Sequence, residues 1–143
     1  MRACVLDASV AVKWFLPPET EPLWPEALRV LDDYRCRRLD LIAPDLFWPE
    51  LANVFRKAVR QRRLSPEGAR RALTTLDETA IAPFPSRSLW KEAFDIATTF
   101  DRSVYDAVYV ALAAARSIPL LTADERLANA LAARFPIRWL GAW

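Results

Sequence analysis

Ala3-Cys4-Val5-Leu6-Asp7 is the stretch on which the fold turns, a short apolar run closed by a carboxylate. A run this short, bounded by polar residues, reads as a buried strand. Near the other end, Pro119-Leu120-Leu121 does the same and leads through Thr122-Ala123 into Asp124. Between them, strand-like runs alternate with helical patterns, which predicts a parallel sheet with helices on both faces. Ligands of such sheets bind beyond the carboxyl ends of the strands. If the two runs are neighbours, Asp7 and Asp124 share that edge.

Outward from the first strand, Ala3 to Leu6, the chain predicts a short helix over Ser9–Phe15, stopped by Pro17-Pro18. A second helix runs from Pro22 to Arg37. Leu41-Ile42-Ala43 is a second strand, ended by Pro44. Asp45 is placed to cap a helix running to Arg63, with Pro49 near its first turn. Ser65-Pro66-Glu67 starts a helix that ends near Thr79, because it offers a cap, a proline and then an acid. Ala80-Ile81-Ala82 is a third strand, and Ser86 to Thr99 is helical. Ser103 caps a helix to Ser117, Ile118 to Thr122 is a fourth strand, and Ala123 to Arg134 is the last long helix. Ile137-Arg138-Trp139 is a fifth strand. No repeat or linker interrupts this order, so residues 1–143 read as one α/β domain, a three-layer sandwich.

Composition narrows the chemistry. The 143 residues are 53% hydrophobic, enough for a real core and too apolar for disorder. Arg and Asp interrupt every apolar stretch before it could span a bilayer, so no membrane partner is expected. The start of the chain has too short an apolar run for a secretory signal, and a soluble cytoplasmic protein is expected. Histidine is absent, which removes Ser-His-Asp triads, Cys-His nucleophiles, His-zinc sites and imidazole proton relays. The two glycines, Gly68 and Gly141, make neither a P-loop nor a dinucleotide fingerprint. Cys4 and Cys36 form no CxxC motif, and Cys4 is expected as a reduced core residue. Net charge is only +2, but arginine outnumbers lysine 17 to 3, and arginine suits bidentate contact with phosphate or carboxylate. Acid-rich metal chemistry survives these exclusions.

Four acids end strands or open helices: Asp7, Glu50, Asp106 and Asp124. Gathered together they disfavour each other's ionised form, and a cation relieves this. A divalent-metal site is therefore the first hypothesis. Each acid also has a plainer reading. Asp7 stands where it would cap the next helix. Thr122-x-x-Glu125 is a capping box, which makes Asp124 an ordinary first-turn acid. Ser103-x-x-Asp106 resembles a box too. The nine residues after it are apolar or aromatic on every side, so Asp106 heads a helix buried all round. A lone carboxylate there is costly without a cleft or an ion. Glu50 shares one side of its helix with Asn53 and Lys57, while Leu51, Val54, Phe55, Ala58 and Val59 form the apolar face. Arg56, Arg60 and Arg63 lie beside them, either as a phosphate-binding ridge or as a solvated face with Glu-to-Arg pairs.

The order of these motifs resembles a PIN domain, and more narrowly the VapC-type toxin ribonucleases. The matching pieces are Val5-Leu6-Asp7-Ala8-Ser9, Pro44-Asp45-Leu46-Phe47-Trp48-Pro49-Glu50-Leu51-Ala52-Asn53-Val54, Ser103-Val104-Tyr105-Asp106-Ala107-Val108-Tyr109 and Leu121-Thr122-Ala123-Asp124-Glu125. They span nearly the whole chain in the family's order. The resemblance implies a parallel sheet between helices and an endoribonuclease dependent on Mg²⁺ or Mn²⁺, with one or two ions. It also implies an RNA substrate, a homodimer, and a cognate VapB-type antitoxin that holds the toxin inactive. By position, Asp7, Glu50, Asp106 and Asp124 match the family's acidic quartet, and Ser9, Asn53 and Thr122 match supporting polar positions. Asp101 and Glu125 are acids nearby with no matched role. One departure stands out. The family often has glycine in the turn before the fourth strand, where this chain has Arg116-Ser117-Ile118-Pro119.

On this reading Asp7 and Asp106 are the principal metal ligands and Asp124 completes the set. Glu50 orients or deprotonates the attacking water, or shares in a second ion. Ser9, Asn53 and Thr122 hold the ligands in place. Arg56, Arg60, Arg62 and Arg63 are candidate RNA backbone contacts. Of the six tryptophans, Trp48 is the candidate stacking platform, the others being core or interface. The antitoxin is expected to lay an amphipathic segment in a groove walled by the Pro22–Arg37 and Asp45–Arg63 helices. Two other classes use the same residues. A haloacid-dehalogenase-like phosphatase also opens with Asp after its first strand, but needs a second Asp where Ser9 stands. A non-catalytic α/β binding module would use the acids as helix caps.

Overall fold

The computed structural model describes residues 2–143, and Met1 lies outside them. β1 (Arg2–Leu6) ends in three buried residues, Cys4, Val5 and Leu6. α1 (Ala8–Ala11) follows and passes into a 3-10 turn at Val12–Trp14. A second 3-10 turn, Pro18–Thr20, starts at the second of the paired prolines that stop the preceding helix. Next come α2 (Trp24–Arg35), β2 (Leu39–Pro44), α3 (Phe47–Arg60) and α4 (Pro66–Asp77). β3 (Ala82–Phe84) leads through a 3-10 turn, Ser86–Ser88, to α5 (Trp90–Phe100) and α6 (Val104–Arg116). The chain continues with β4 (Leu120–Thr122), α7 (Glu125–Leu131) and β5 (Ile137–Trp139).

The five strands pair in the order β3-β2-β1-β4-β5, all parallel, as the alternation of strands and helices predicts. β1, β2 and β3 build outward in one direction. The chain then returns to lay β4 on the free side of β1. This reversal opens the crevice where doubly wound sheets bind ligands. The β1–β4 register pairs Val5 with Leu120 and Leu6 with Leu121. Asp7 and Thr122 therefore leave the sheet side by side.

α6 explains how the crevice is walled. Its residues Ala107 to Ala113 are all buried, and it packs on α5, β1, β2 and β4. Its alanines permit close approach to the sheet. Its Val and Leu side chains each contribute about 1.5–3 kcal/mol by leaving water. Asp106 stands one residue before this buried run, so the helix carries its acid to the crevice mouth. Cys4 is buried and Cys36 exposed, and both are free. Burial pushes the Cys4 thiol up to about 11, which fits an inert core residue. Among the described residues, no helix is long and apolar enough to cross a membrane.

Several local expectations are corrected. β3 begins at Ala82, later than Ala80, because Ile81 turns into the core before the ladder starts at Ile42–Ala82. Asp45 does not cap α3. Leu46 holds that position, and the Asp45 carboxylate accepts the Ser86 N–H at 3.1 Å together with the Ser86 hydroxyl. α3 stops at Arg60, which leaves Arg62 and Arg63 in the following loop. The turn before β4 forms without glycine. Ser117 takes φ 53° and ψ 39°, and Ile118 N–H donates to Ala113 O at 3.2 Å. A left-handed serine costs about 1–2 kcal/mol.

Candidate metal centre at the carboxyl edge of the sheet

Asp7 occupies the extended position before α1, which is a cap position, yet its side chain caps nothing. Its Oδ2 instead accepts the Ser9 hydroxyl at 2.8 Å and the Thr122 hydroxyl at 2.7 Å. Those hydroxyls are themselves oriented. Ser9 Oγ accepts the Ala123 N–H at 3.0 Å, and Thr122 Oγ1 accepts the Asp124 N–H at 3.0 Å. Each oxygen takes a backbone hydrogen and gives its own to Asp7. Burial raises the Asp7 pKa, the two hydroxyls pull it down, and Asp106 raises it again.

Glu50 lies in the first turn of α3. Its Oε2 accepts the phenol of Tyr109, a buried residue of α6, at 3.0 Å. Burial pushes the Glu50 carboxyl up to about 7, against the Tyr109 bond and with help from Asp7 and Asp106. Burial also raises the Tyr109 phenol, so it remains a donor throughout the neutral range.

Asp106 and Asp124 complete the group. Asp106 N–H donates to Ser103 Oγ at 3.1 Å, so Ser103 caps α6 as expected. Asp124 Oδ1 accepts the Leu127 N–H at 3.1 Å. Asp124 is therefore the cap of α7, and Thr122, expected to cap, serves Asp7 instead. Oδ2 of each acid faces Arg102, whose Nη2 stands 3.8 Å from Asp106 and 3.7 Å from Asp124. Burial raises Asp106, Arg102 lowers it, and Asp124 raises it.

The four acids thus form one electrostatic group. Asp106 acts on Asp7, Asp7 and Asp106 act on Glu50, and Asp124 acts on Asp106. Among the described residues, no three acid side chains close on one point as direct ligands of a single ion would. The donors are all carboxylate oxygens, the choice of hard dications, and Mg²⁺ keeps several waters when bound through one or two carboxylates. The residues fit such a hydrated ion.

Other expected positions fare differently. Asn53 shares the Glu50 side of α3 but is exposed, and it makes no hydrogen bond to any of the four acids. Asp101 is the exposed C-cap of α5, and Glu125 is exposed in the first turn of α7. Arg56, Arg60 and Arg62 are exposed. Arg63 is already engaged, with Glu21 Oε2 at 2.6 Å and Thr20 Oγ1 at 2.8 Å. Trp48 packs edge-on against Phe47 and is half-buried, whereas Trp90 is 57% exposed. Two residues escaped the sequence reading, Tyr109 and Arg102. Tyr109 lies at i+3 of Asp106 within α6, and that spacing was the available signal; Arg102 precedes the Ser103 cap, where no helical spacing applies.

A family model described as PIN domain matches residues 4–131. The chain belongs to the PIN-domain family. The VapC ribonuclease Mb0985 of Mycobacterium bovis is 36% identical to this PIN domain over 112 residues, 76% of this chain and 87% of that relative. Among solved structures, VapC20 of Mycobacterium tuberculosis, described as a sarcin-ricin loop cleaving toxin, matches with a TM-score of 0.69 at 15% identity. The match covers 92% of this chain and 95% of that one. A toxin-antitoxin complex from Klebsiella pneumoniae matches with a TM-score of 0.63 at 15% identity, covering 96% and 97%. The structural matches establish the PIN-domain fold, and the haloacid-dehalogenase alternative is left without support.

Proposed function

We propose that this chain, as a single domain of residues 1–143, is an endoribonuclease dependent on Mg²⁺ or Mn²⁺ and the toxin of a cytoplasmic toxin-antitoxin pair. The observation that carries the reading is the placement of Asp7, Glu50, Asp106 and Asp124 around the switch point of the sheet, where burial above all raises the carboxyls of Asp7, Glu50 and Asp106. Carboxylates in that state gain most from a dication. The ribonuclease name of the 36% identical relative supports the substrate class.

Asp7, Asp106 and Asp124 would hold one or two ions, directly or through water. The bound dication supplies an acidified water and neutralises charge on the phosphate under attack. The chain's own residues do the rest. Ser9 and Thr122 fix the Asp7 carboxylate by hydrogen bonds to one oxygen. Tyr109 occupies Oε2 of Glu50, which leaves Oε1 to take a proton from the attacking water. A carboxyl poised near 7 is suited to that transfer.

Arg56, Arg60 and Arg62 are the proposed contacts to the RNA backbone, beside a groove of about 450 Å³ lined by Lys57, Arg60 and Gln61. Arg63 is released from that role by its bond to Glu21. Trp90, Phe94, Val104 and Tyr105 are exposed together on α5 and the start of α6, an apolar face suited to a homodimer contact. A VapB-type antitoxin would lay an amphipathic segment along the α2 and α3 walls. The test is RNA cleavage by the purified chain. Asp7→Asn and Asp106→Asn are expected to abolish it while circular dichroism stays native, and EDTA to stop it until Mg²⁺ or Mn²⁺ is returned. Full turnover in chelator, or by either variant, removes the assignment.

A further inference from the structure

We infer that Arg102 is a resident counter-cation of the carboxylate group, which competes with the dication for Asp106 and Asp124 and sets the metal concentration at which the site fills; the inference rests on the metal-nuclease reading above.

Arg102 is delivered by the backbone rather than by chance of a rotamer. Asp101 ends α5 in the left-handed conformation (φ 53°, ψ 54°), and Arg102 N–H donates back to Ala97 O at 3.1 Å. Ser103 then caps α6. Two helix ends thus pin the one residue between them. Its side chain is only 20% exposed.

The seating of its guanidinium is unlike that of the other carboxylate-paired arginines, Arg2, Arg29, Arg38 and Arg63. A structural Arg–carboxylate pair closes to hydrogen-bond distance, often through two nitrogens. Arg63 reaches Glu21 at 2.6 Å and Arg2 reaches Asp33 at 2.8 Å. Arg102 stands at 3.8 and 3.7 Å from two acids on different elements, beyond hydrogen-bond range of either. Its Nε is buried with no partner. The group contributes charge without a clamp. The negative potential that draws the guanidinium is the one that draws a dication, and the two cations repel at these distances. Charges this close shift ionic equilibria by about tenfold or more.

The test is Mn²⁺ binding to the purified full chain, followed by calorimetric titration and by the loss of free Mn²⁺ signal in electron paramagnetic resonance. Arg102→Gln is expected to bind Mn²⁺ about tenfold more tightly than the parent. Arg102→Lys, which keeps the charge, is expected to bind like the parent. Without metal, Arg102→Gln is expected to melt below the parent, and saturating Mn²⁺ to raise its Tm by more. Equal or weaker Mn²⁺ binding by Arg102→Gln with a native circular dichroism spectrum overturns the inference. Should that variant fail to fold, Arg102→Met keeps the packing stem and decides by the same comparison. Asp106→Asn is expected to lose the binding. Undiminished binding by Asp106→Asn overturns the metal reading itself, and the inference with it.

Discussion

Thr122 carries no charge, yet it governs the charge beside it. It is fully buried, takes the Asp124 N–H and gives its hydrogen to Asp7. Thr122→Val keeps the shape and removes both bonds. It is expected to cost about 1–3 kcal/mol in urea unfolding and to slow cleavage about ten- to a hundredfold. A variant as fast as the parent would take the hydroxyl pair out of the account. Glu50 makes a second prediction at this scale. Its carboxyl is pushed up to about 7 from an ordinary value of 4.5. Cleavage should therefore rise with pH through about 7, and Glu50→Gln should be slow and lack that rise. The stability effect has the opposite direction. A carboxyl whose folded pKa is raised stabilises fully below 4.5 and loses that contribution as pH climbs through about 7. The metal-free Tm should fall across this window, and fall less in Glu50→Gln.

Elements show where local pattern was enough. Ser65 and Ser103 cap α4 and α6 as their sequence contexts predict, because a cap is settled within three residues. Asp45 and Thr122 also had cap-like contexts and went elsewhere. Their partners, Ser86 and Asp7, are 41 and 115 residues away, and nothing in a local window announces them. The Arg ridge divides for the same reason. Arg60→Ala is expected to weaken RNA binding and reduce its salt slope by about 0.7, the value for one phosphate contact on a single strand. Arg63→Ala should leave that slope unchanged and lower stability, since Arg63 and buried Lys13 both pair with Glu21. The turn at Ser117 offers a stabilising change. Ser117→Gly relieves the left-handed strain and should add about 0.5–1 kcal/mol in urea unfolding, after the extra freedom of the unfolded glycine is subtracted.

At the scale of the whole molecule, one apolar face is left without a neighbour. Phe94 is 61% exposed and Trp90 57%, so substituting them disturbs little of the core. Phe94→Asp is expected to convert a dimer into a folded monomer, read by light scattering after gel filtration. A parent that is already monomeric at micromolar concentration would remove the dimer from the proposal. The number of strands, their parallel direction and the acids that end them were legible along the chain, because hydrophobic periodicity and caps act between residues a few positions apart. Tertiary structure alone decided that β4 lies beside β1, that Asp7 leans on Thr122, and that Arg102 stands between Asp106 and Asp124. Those outcomes depend on which elements pack together, and packing couples residues whose separation along the chain carries no signal.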